Sequence, residues 1–362
     1  MTQTMGLGSS SVLTVATVDY VPQALATLNS ARRHCPRSSF YLFAVDATAD
    51  AVAGLRRLIG DHASWLHIFG PNELGSERTK FLKACERYNV LELCCFAKYI
   101  GMSHVMRDPS AGDVCIFADS DTLFLGDVHA AVAAAMAEQA VLVTPHLLAP
   151  ASDDVEHDIM SHGWMNAGFL AFRREHPGSR RVLDWLIDRI SRRGYLAPQY
   201  AMSCDQQWVS ALPVLFREFT CVSTHRGLNI GYWNLRERSL TKSGTEILAG
   251  GSPLLLFHFS GFDWPRSKRL SKHADVVVLP GSPLEELCQL YQSELQDTAL
   301  LQARVQELGR MACAKANVIE RIRAASRRDG VHIATLAGHG LFSRLGGKVD
   351  ALLRKTMVWR ER

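Results

Sequence analysis

Val114-Cys115-Ile116-Phe117-Ala118-Asp119-Ser120-Asp121 reads as a short buried strand that runs directly into two carboxylates. Side chains alternate along a strand, so Asp119 and Asp121, two residues apart, fall on one side of the chain. Such a pair can share one divalent cation. Mg²⁺ and Mn²⁺ prefer oxygen ligands, and Mg²⁺ often bridges one or two carboxylates to the phosphates of a substrate. A bare D-x-D more often only caps a turn at a strand end, so the decision falls on its surroundings.

Upstream, Val12 to Val18 is a β-branched run of the kind found in buried strands, and Pro22 opens a helical stretch from Gln23 to His34. Phe40 to Val45 and Ala49 to Ile59 repeat the alternation, Trp65 to Phe69 is a third strand, and Thr79 to Met106 reads as one long helix. No G-x-G-x-x-G turn follows the first strand, which weighs against a dinucleotide-binding domain. Downstream, strands are expected at Val141 to Thr144, Gly168 to Phe172 and Leu254 to Phe259. Helices are expected at Val182 to Arg192 and Asp205 to Leu212. The pattern predicts one mixed α/β domain over 1–280 and a helical, basic extension over 281–362, beginning with Leu284 to Ile322 and ending with Lys348 to Trp359.

Six blocks in matching order resemble the glycosyltransferases of the GT-A fold that carry a DXD motif, specifically a bacterial group related to the glycogenin-like retaining enzymes. Besides the DSD segment they are Thr17-Val18-Asp19-Tyr20; Tyr88-Asn89-Val90-Leu91-Glu92-Leu93-Cys94 with Lys98; Trp164-Met165-Asn166-Ala167-Gly168-Phe169; Cys204-Asp205-Gln206-Gln207-Trp208; Asn229-Ile230-Gly231-Tyr232-Trp233-Asn234-Leu235; and Phe257-His258-Phe259-Ser260-Gly261-Phe262-Asp263. The resemblance spans roughly residues 12 to 270. It implies a mainly parallel mixed sheet flanked by helices, and transfer of a sugar from a nucleoside diphosphate sugar, in this family a UDP-sugar. The group pattern often continues from Lys98 with Pro, where this chain has Tyr99.

The resemblance also assigns roles. Asp119, Asp121 and His258 are the expected ligands of Mn²⁺ or Mg²⁺, imidazole being a reasonable third ligand for Mn²⁺. The donor is expected to meet Thr17, Asp19, Tyr20, Lys98, Asp119, Ser120, Asn166, Ala167, Gly168 and Gly261. Amides suit sugar hydroxyls because they donate and accept at once, and Gly261 has no Cβ to keep backbone from a diphosphate. If configuration is retained, Asp205 or Gln206 faces the oxocarbenium-like centre. If it is inverted, Asp205, Asp263 or Glu237 takes the acceptor proton. Asp205 also stands where a helix N-cap would, and Asp19 where it could cap the Pro22 helix. Lys80 is a further cation near this region, while Tyr232 and Trp233 serve either as core or as a sugar-stacking face.

The 362 residues carry 47% hydrophobic and 21% charged residues and a net charge of +4, an ordinary globular balance too weakly basic to argue for nucleic acid. The nine Cys form no C-x-x-C framework, so reduced thiols are expected rather than disulfides or a zinc site. No apolar run reaches the length of a membrane span, and Met1 to Ser11 lacks the pattern of a signal peptide, so a cytoplasmic location is expected. From Leu300 to Arg362, thirteen Lys or Arg face five acids. Such a basic, partly apolar end suits an anionic bilayer surface, as for an enzyme acting on a lipid-linked glycan, or a protein partner or second copy in an oligomer. Two rival readings are a nucleotidyltransferase, which a Gly-rich loop after the first strand would favour, and a catalytically silent sugar-nucleotide-binding scaffold.

Overall fold

The computed structural model describes residues 7–60 and 64–312. The chain opens with β1 (Ser10–Ala16), a 3₁₀ turn over Val18–Tyr20, α1 (Val21–His34), β2 (Ser39–Ala44), α2 (Ala49–Ile59) and β3 (Leu66–Phe69). Two helices follow, α3 (Arg78–Cys85) and α4 (Val90–Val105), where the sequence reads as one from Thr79 to Met106. Asn89 is the reason for the break. Its side chain accepts from Glu92 N at 3.0 Å, and Glu92 Oε2 accepts from Asn89 N at 3.0 Å, a capping box that starts a helix afresh inside an apolar-periodic run.

Next come β4 (Val114–Ala118), β5 (Thr122–Phe124), α5 (Val128–Met136), β6 (Val141–Pro145), α6 (Asp153–His162), β7 (Met165–Arg173) and α7 (Pro177–Arg193). The short pair β8 (Leu196–Ala197) and β9 (Met202–Ser203) leads to α8 (Gln206–Ser210), α9 (Leu212–Leu215) and β10 (Thr220–Val222). Short strands β11 (Leu240–Ser243), β12 (Glu246–Ala249), β13 (Ser252–Pro253), β14 (Leu256–His258), β15 (Arg269–Ser271) and β16 (Ala274–Val277) precede α10 (Pro283–Ala312).

Seven strands form the central sheet in the order β10-β6-β7-β4-β1-β2-β3. All its pairings are parallel except those of β7, which runs antiparallel to both β4 and β6. This is the mainly parallel mixed α/β architecture the sequence implies. Its strands are apolar on both faces because helices cover both. In β4, Val114, Ile116 and Ala118 join α1, α2 and α5 in one core, while Cys115 and Phe117 join α3, α4 and α7 in the other. The run from Val114 is therefore hydrophobic without alternation, and its first residue past the core is Asp119.

The sequence places a strand at Leu254 to Phe259; the structure narrows it to β14 and sets it outside the central sheet. There it pairs antiparallel with β5, His258 opposite Thr122. This ladder builds a third core in which Phe259 stacks on Tyr291 of α10 with centroids 4.1 Å apart. The described part of α10 also lies against α1 and α2, with an Arg33–Glu294 ion pair between α1 and α10. The basic tail with Lys348 to Trp359, and the stretch from Cys313 to Ile322 that the sequence adds to α10, lie outside the described residues. The eight described cysteines are free. Among the described residues no helix is long and apolar enough to cross a membrane.

Candidate metal and donor site

At the C-terminal end of β4 the backbone of Asp119 still belongs to the sheet, its N–H donating to Gly168 O of β7 at 2.9 Å. Ser120 and Asp121 then turn the chain into β5, and Thr27 of α1 secures that turn by donating from Oγ1 to Ser120 O and Thr122 O. The β5–β14 ladder completes the placement. Phe259 N donates to Asp121 O at 2.8 Å, so His258 is locked beside the two carboxylates although 137 residues separate it from Asp121 in the chain.

His258 Nε2 lies 3.0 Å from Asp121 Oδ1 and 3.8 Å from Asp119 Oδ2. Ligand atoms of the three residues all fall within 4.8 Å of one another. Two ligand atoms bound at right angles about 2.1 Å from a small divalent cation stand about 3 Å apart, which is the His258–Asp121 separation. The tautomer also fits. Asn229 Nδ2 donates to Thr144 Oγ1 at 2.8 Å and to Asn166 Oδ1 at 3.0 Å, so its Oδ1 is the atom left to accept from His258 Nδ1 at 3.3 Å. With Nδ1–H donating to Asn229, Nε2 is the nitrogen that faces the carboxylates, where it can offer a lone pair to a cation or a proton to Asp121.

Gly168 lies directly beneath this cluster. A Cβ there would stand 2.4 Å from His258 Cε1 and 2.7 Å from Asp119 Oδ2, so the cluster occupies the space any side chain would need. The charges are correspondingly strained. Burial pushes the Asp119 carboxyl above its ordinary range despite Lys98 and His258 nearby. Burial would raise Asp121 as well, but the His258 imidazole beside it wins and holds it low. Burial would lower His258, and Asp121 and Asp119 reverse that, so its pKa is raised. Two acids and an imidazole packed this way call for positive charge among them.

A second group lies beside the first. Lys98 of α4, 4% exposed, donates to Asp205 Oδ2 at 2.9 Å and to Ala167 O at 2.9 Å, stands 3.7 Å from Asp119 Oδ1, and sits 4.8 Å from the centre of the Phe117 ring. Burial disfavours its charge, yet the carboxylates of Asp119 and Asp205 outweigh burial and raise its pKa. Asp205 occupies the N-cap position of α8 but makes no capping bond; its carboxylate turns instead to Lys98 and to the Tyr99 hydroxyl, 2.7 Å away. The capping role open to it in the sequence is thus replaced by an ion pair. Tyr99, at the departure from Pro, lies inside α4, which runs unbroken through Lys98.

The other sequence-selected residues divide. Gln206 accepts from Ala167 N at 3.4 Å and donates to His162 O at 3.2 Å, tying α8 to β7 and α6 beside Asp205. Asn166 is turned inward: its Oδ1 accepts from Gly168 N and from Asn229, and its Nδ2 faces His146 Nε2 at 3.1 Å. Thr17, buried, and the exposed Asp19 and Tyr20 lie in the turn leaving β1, next to β4 in the sheet. Asp19 does not cap α1, whose N-cap position is Tyr20. Buried Asp46 fixes that turn by accepting from Val18 N at 2.7 Å. Gly261 takes φ +66°, and a Cβ on it would stand 2.4 Å from the His273 ring.

Trp233 is neither plain core nor a free platform: it sets its edge against His258 at 5.2 Å and His146 at 5.5 Å, and Tyr232 packs on it in turn. Glu237 and Asp263 are engaged elsewhere, the first accepting from Leu148 N, the second pairing with Arg266. Lys80 is half-exposed and pairs with Glu77. Sequence reading overlooked Asn229, His146, Asp46 and Tyr99 as site residues. Asn229 and Tyr99 sit in or beside the blocks that carry the resemblance, while nothing local distinguishes His146 or Asp46.

No family model matches the chain. Solved structures similar to it are glycosyltransferases. The glycosyltransferase GlyE of Streptococcus pneumoniae TIGR4 shares 17% identity at a TM-score of 0.47, over 82% of this chain and 62% of that one. The galactosyltransferase LgtC, solved with donor and acceptor sugar analogues, shares 12% at 0.47, over 78% and 95%. Mouse xyloside xylosyltransferase 1 shares 10% at 0.43, over 69% and 97%. In sequence, the uncharacterized protein YfnF of Bacillus subtilis strain 168 is 26% identical over 189 residues, 51% of this chain and 62% of that protein, so the chain spans under two thirds of the relative's length.

Proposed function

We propose that the protein is a metal-dependent glycosyltransferase that moves a sugar from a nucleoside diphosphate sugar, a UDP-sugar first among them, to a glycan or lipid-linked acceptor with retention of configuration. The observation that carries this reading is the convergence of Asp119, Asp121 and His258 at the end of β4, with Lys98 and Asp205 beside them and no side chain on Gly168. Asp119, Asp121 and His258 would hold Mn²⁺ or Mg²⁺, which when bound offsets charge developing on a departing diphosphate.

The chain's own groups supply the rest. The Lys98 ammonium is a fixed point charge next to Asp119, placed to balance an anionic leaving group without moving. In this reading Asp205 supplies a carboxylate suited to a cationic anomeric centre, and Gln206, whose amide bonds Ala167 N and His162 O, braces the turn beside it. The turn over Thr17 to Tyr20 offers backbone and side-chain groups to a base. In this reading residues 1–280 carry the transfer site. The basic extension over 281–362 brings the enzyme to an anionic inner-membrane surface or a protein partner.

Purified protein incubated with Mn²⁺ and a panel of nucleotide sugars should release nucleoside diphosphate from at least one donor. Asp121→Ala and His258→Ala should each abolish the metal-dependent part. Absence of release from every donor, alone or with cell extract as acceptor, would overturn the enzymatic reading in favour of a silent sugar-nucleotide binder.

A further inference from the structure

The Asp205 carboxylate is held by two donors from neighbouring positions of one helix. The Tyr99 hydroxyl donates to Oδ2 at 2.7 Å and Lys98 Nζ to the same oxygen at 2.9 Å. Asp205 as a whole is buried, and among the described residues both donors fall on Oδ2 and no hydrogen bond to Oδ1 occurs. Both donors hold the same oxygen, and holding Oδ2 in place fixes the carboxylate torsion, whose rotation is otherwise soft. The restraint matters because Asp205 has little rigidity of its own. It follows Cys204, whose φ is +51°, and precedes an α8 of only five residues, whereas α4 is a sixteen-residue helix packed in the core.

We propose that Tyr99 is a positioning residue: its buried hydroxyl, with Lys98, orients Asp205 so that Oδ1 faces the donor sugar. The inference rests on the reading that Asp205 belongs to the sugar site. Phe at position 99 would fill the same space and donate nothing. Pro, frequent there in the group this chain resembles, would also donate nothing, so the restraint belongs to this chain.

The test is Tyr99→Phe in the full-length protein, with Tyr41→Phe as control. Tyr41 is also buried and also donates to a carboxylate, Asp108 Oδ2 at 3.0 Å, and the described polar groups that bear on that pair, Ser39, Ser110 and His67, lie outside the site. Tyr99→Phe is expected to lower kcat for donor consumption about tenfold or more, as for loss of one hydrogen bond to a charged group, with donor KM and Mn²⁺ affinity within roughly twofold of wild type. Tyr41→Phe is expected to lose comparable thermal stability and keep its kcat. Wild-type kcat in Tyr99→Phe, or equal kcat losses in both variants, overturns the proposal. A wild type that consumes no donor counts against the enzymatic reading instead. Crystal structures then decide the positioning claim: in Tyr99→Phe the Asp205 carboxylate should rotate or split between conformers, and an unchanged single conformer refutes it.

Discussion

Gly168→Ala separates a metal site from an accidental cluster of acids. The substitution adds one methyl group at a position whose φ is ordinary, so no backbone strain accompanies it and the effect is steric. The new Cβ would stand 2.4 Å from His258 Cε1, 2.7 Å from Asp119 Oδ2 and 2.8 Å from Asn166 Oδ1. Carbon contacts settle near 3.5–4.0 Å, so the imidazole must retreat by about 1 Å. Metal–ligand distances tolerate about 0.2 Å, so a shift of that size removes His258 from the coordination sphere or forces Asp119 out.

The overpacking itself costs about 1–3 kcal/mol of stability. Metal affinity should fall by about 100-fold or more, beyond the 10–100-fold typical of losing only a supporting shell. Titration of Mn²⁺ by electron paramagnetic resonance reads the affinity, and nucleoside diphosphate release reads its consequence. A folded Gly168→Ala protein that binds Mn²⁺ as tightly as wild type would refute the reasoning, because no three-ligand site at Asp119, Asp121 and His258 could survive that methyl group in place.

Three further outcomes follow from the same geometry. His146 is buried and held neutral, its pKa lowered by burial to about 4 from an ordinary 6.5. The unfolded chain therefore binds the extra proton first, so this contribution is complete above about pH 6.5 and is lost as pH falls toward 4, reaching about 3 kcal/mol. Urea unfolding across that window should show the loss, and His146→Gln should flatten it; an unchanged slope in the variant would exclude His146 as its source. Lys98→Met leaves the Asp205 carboxylate buried without its cation and should cost about 3–5 kcal/mol. The double variant Lys98→Met/Asp205→Leu should recover most of the melting temperature but none of the donor consumption, and a double variant no more stable than the single one would contradict that account. Asn89→Ala removes the capping box of α4 and should cost about 1 kcal/mol, read as a fall of a few degrees in melting temperature, with donor consumption at 25 °C unchanged.

How much was legible in sequence follows from which interactions are local. Period, caps and turns act over a few residues, so α1, α2 and the strands β1 to β4 stand close to where the residues put them. The DSD segment is legible as a strand end because Val114 to Ala118 is apolar on both faces. The split between α3 and α4 was also written locally, in the Asn89–Glu92 pair, but apolar periodicity running through it masked the signal. Short strands such as β5, β11 to β13, β15 and β16 were not legible, since few residues carry too little pattern, whereas β14 lies inside the apolar run from Leu254 to Phe259 that the sequence marks.

The sequence by itself determined the alternation of strands and helices, the two carboxylates after a buried strand, and the order of blocks that names the candidate residues. Only the tertiary structure decided which of them meet. The β5–β14 register brings His258 to Asp121 across 137 residues. The closeness of β7 to β4 makes Gly168 the floor of the cluster, and the seating of α8 against β7 and α7 turns Asp205 from a helix cap into the partner of Lys98 and Tyr99. Those placements depend on contacts between segments far apart in the chain, and the free energy that fixes them resides in the cores beneath the site rather than in the residues that form it.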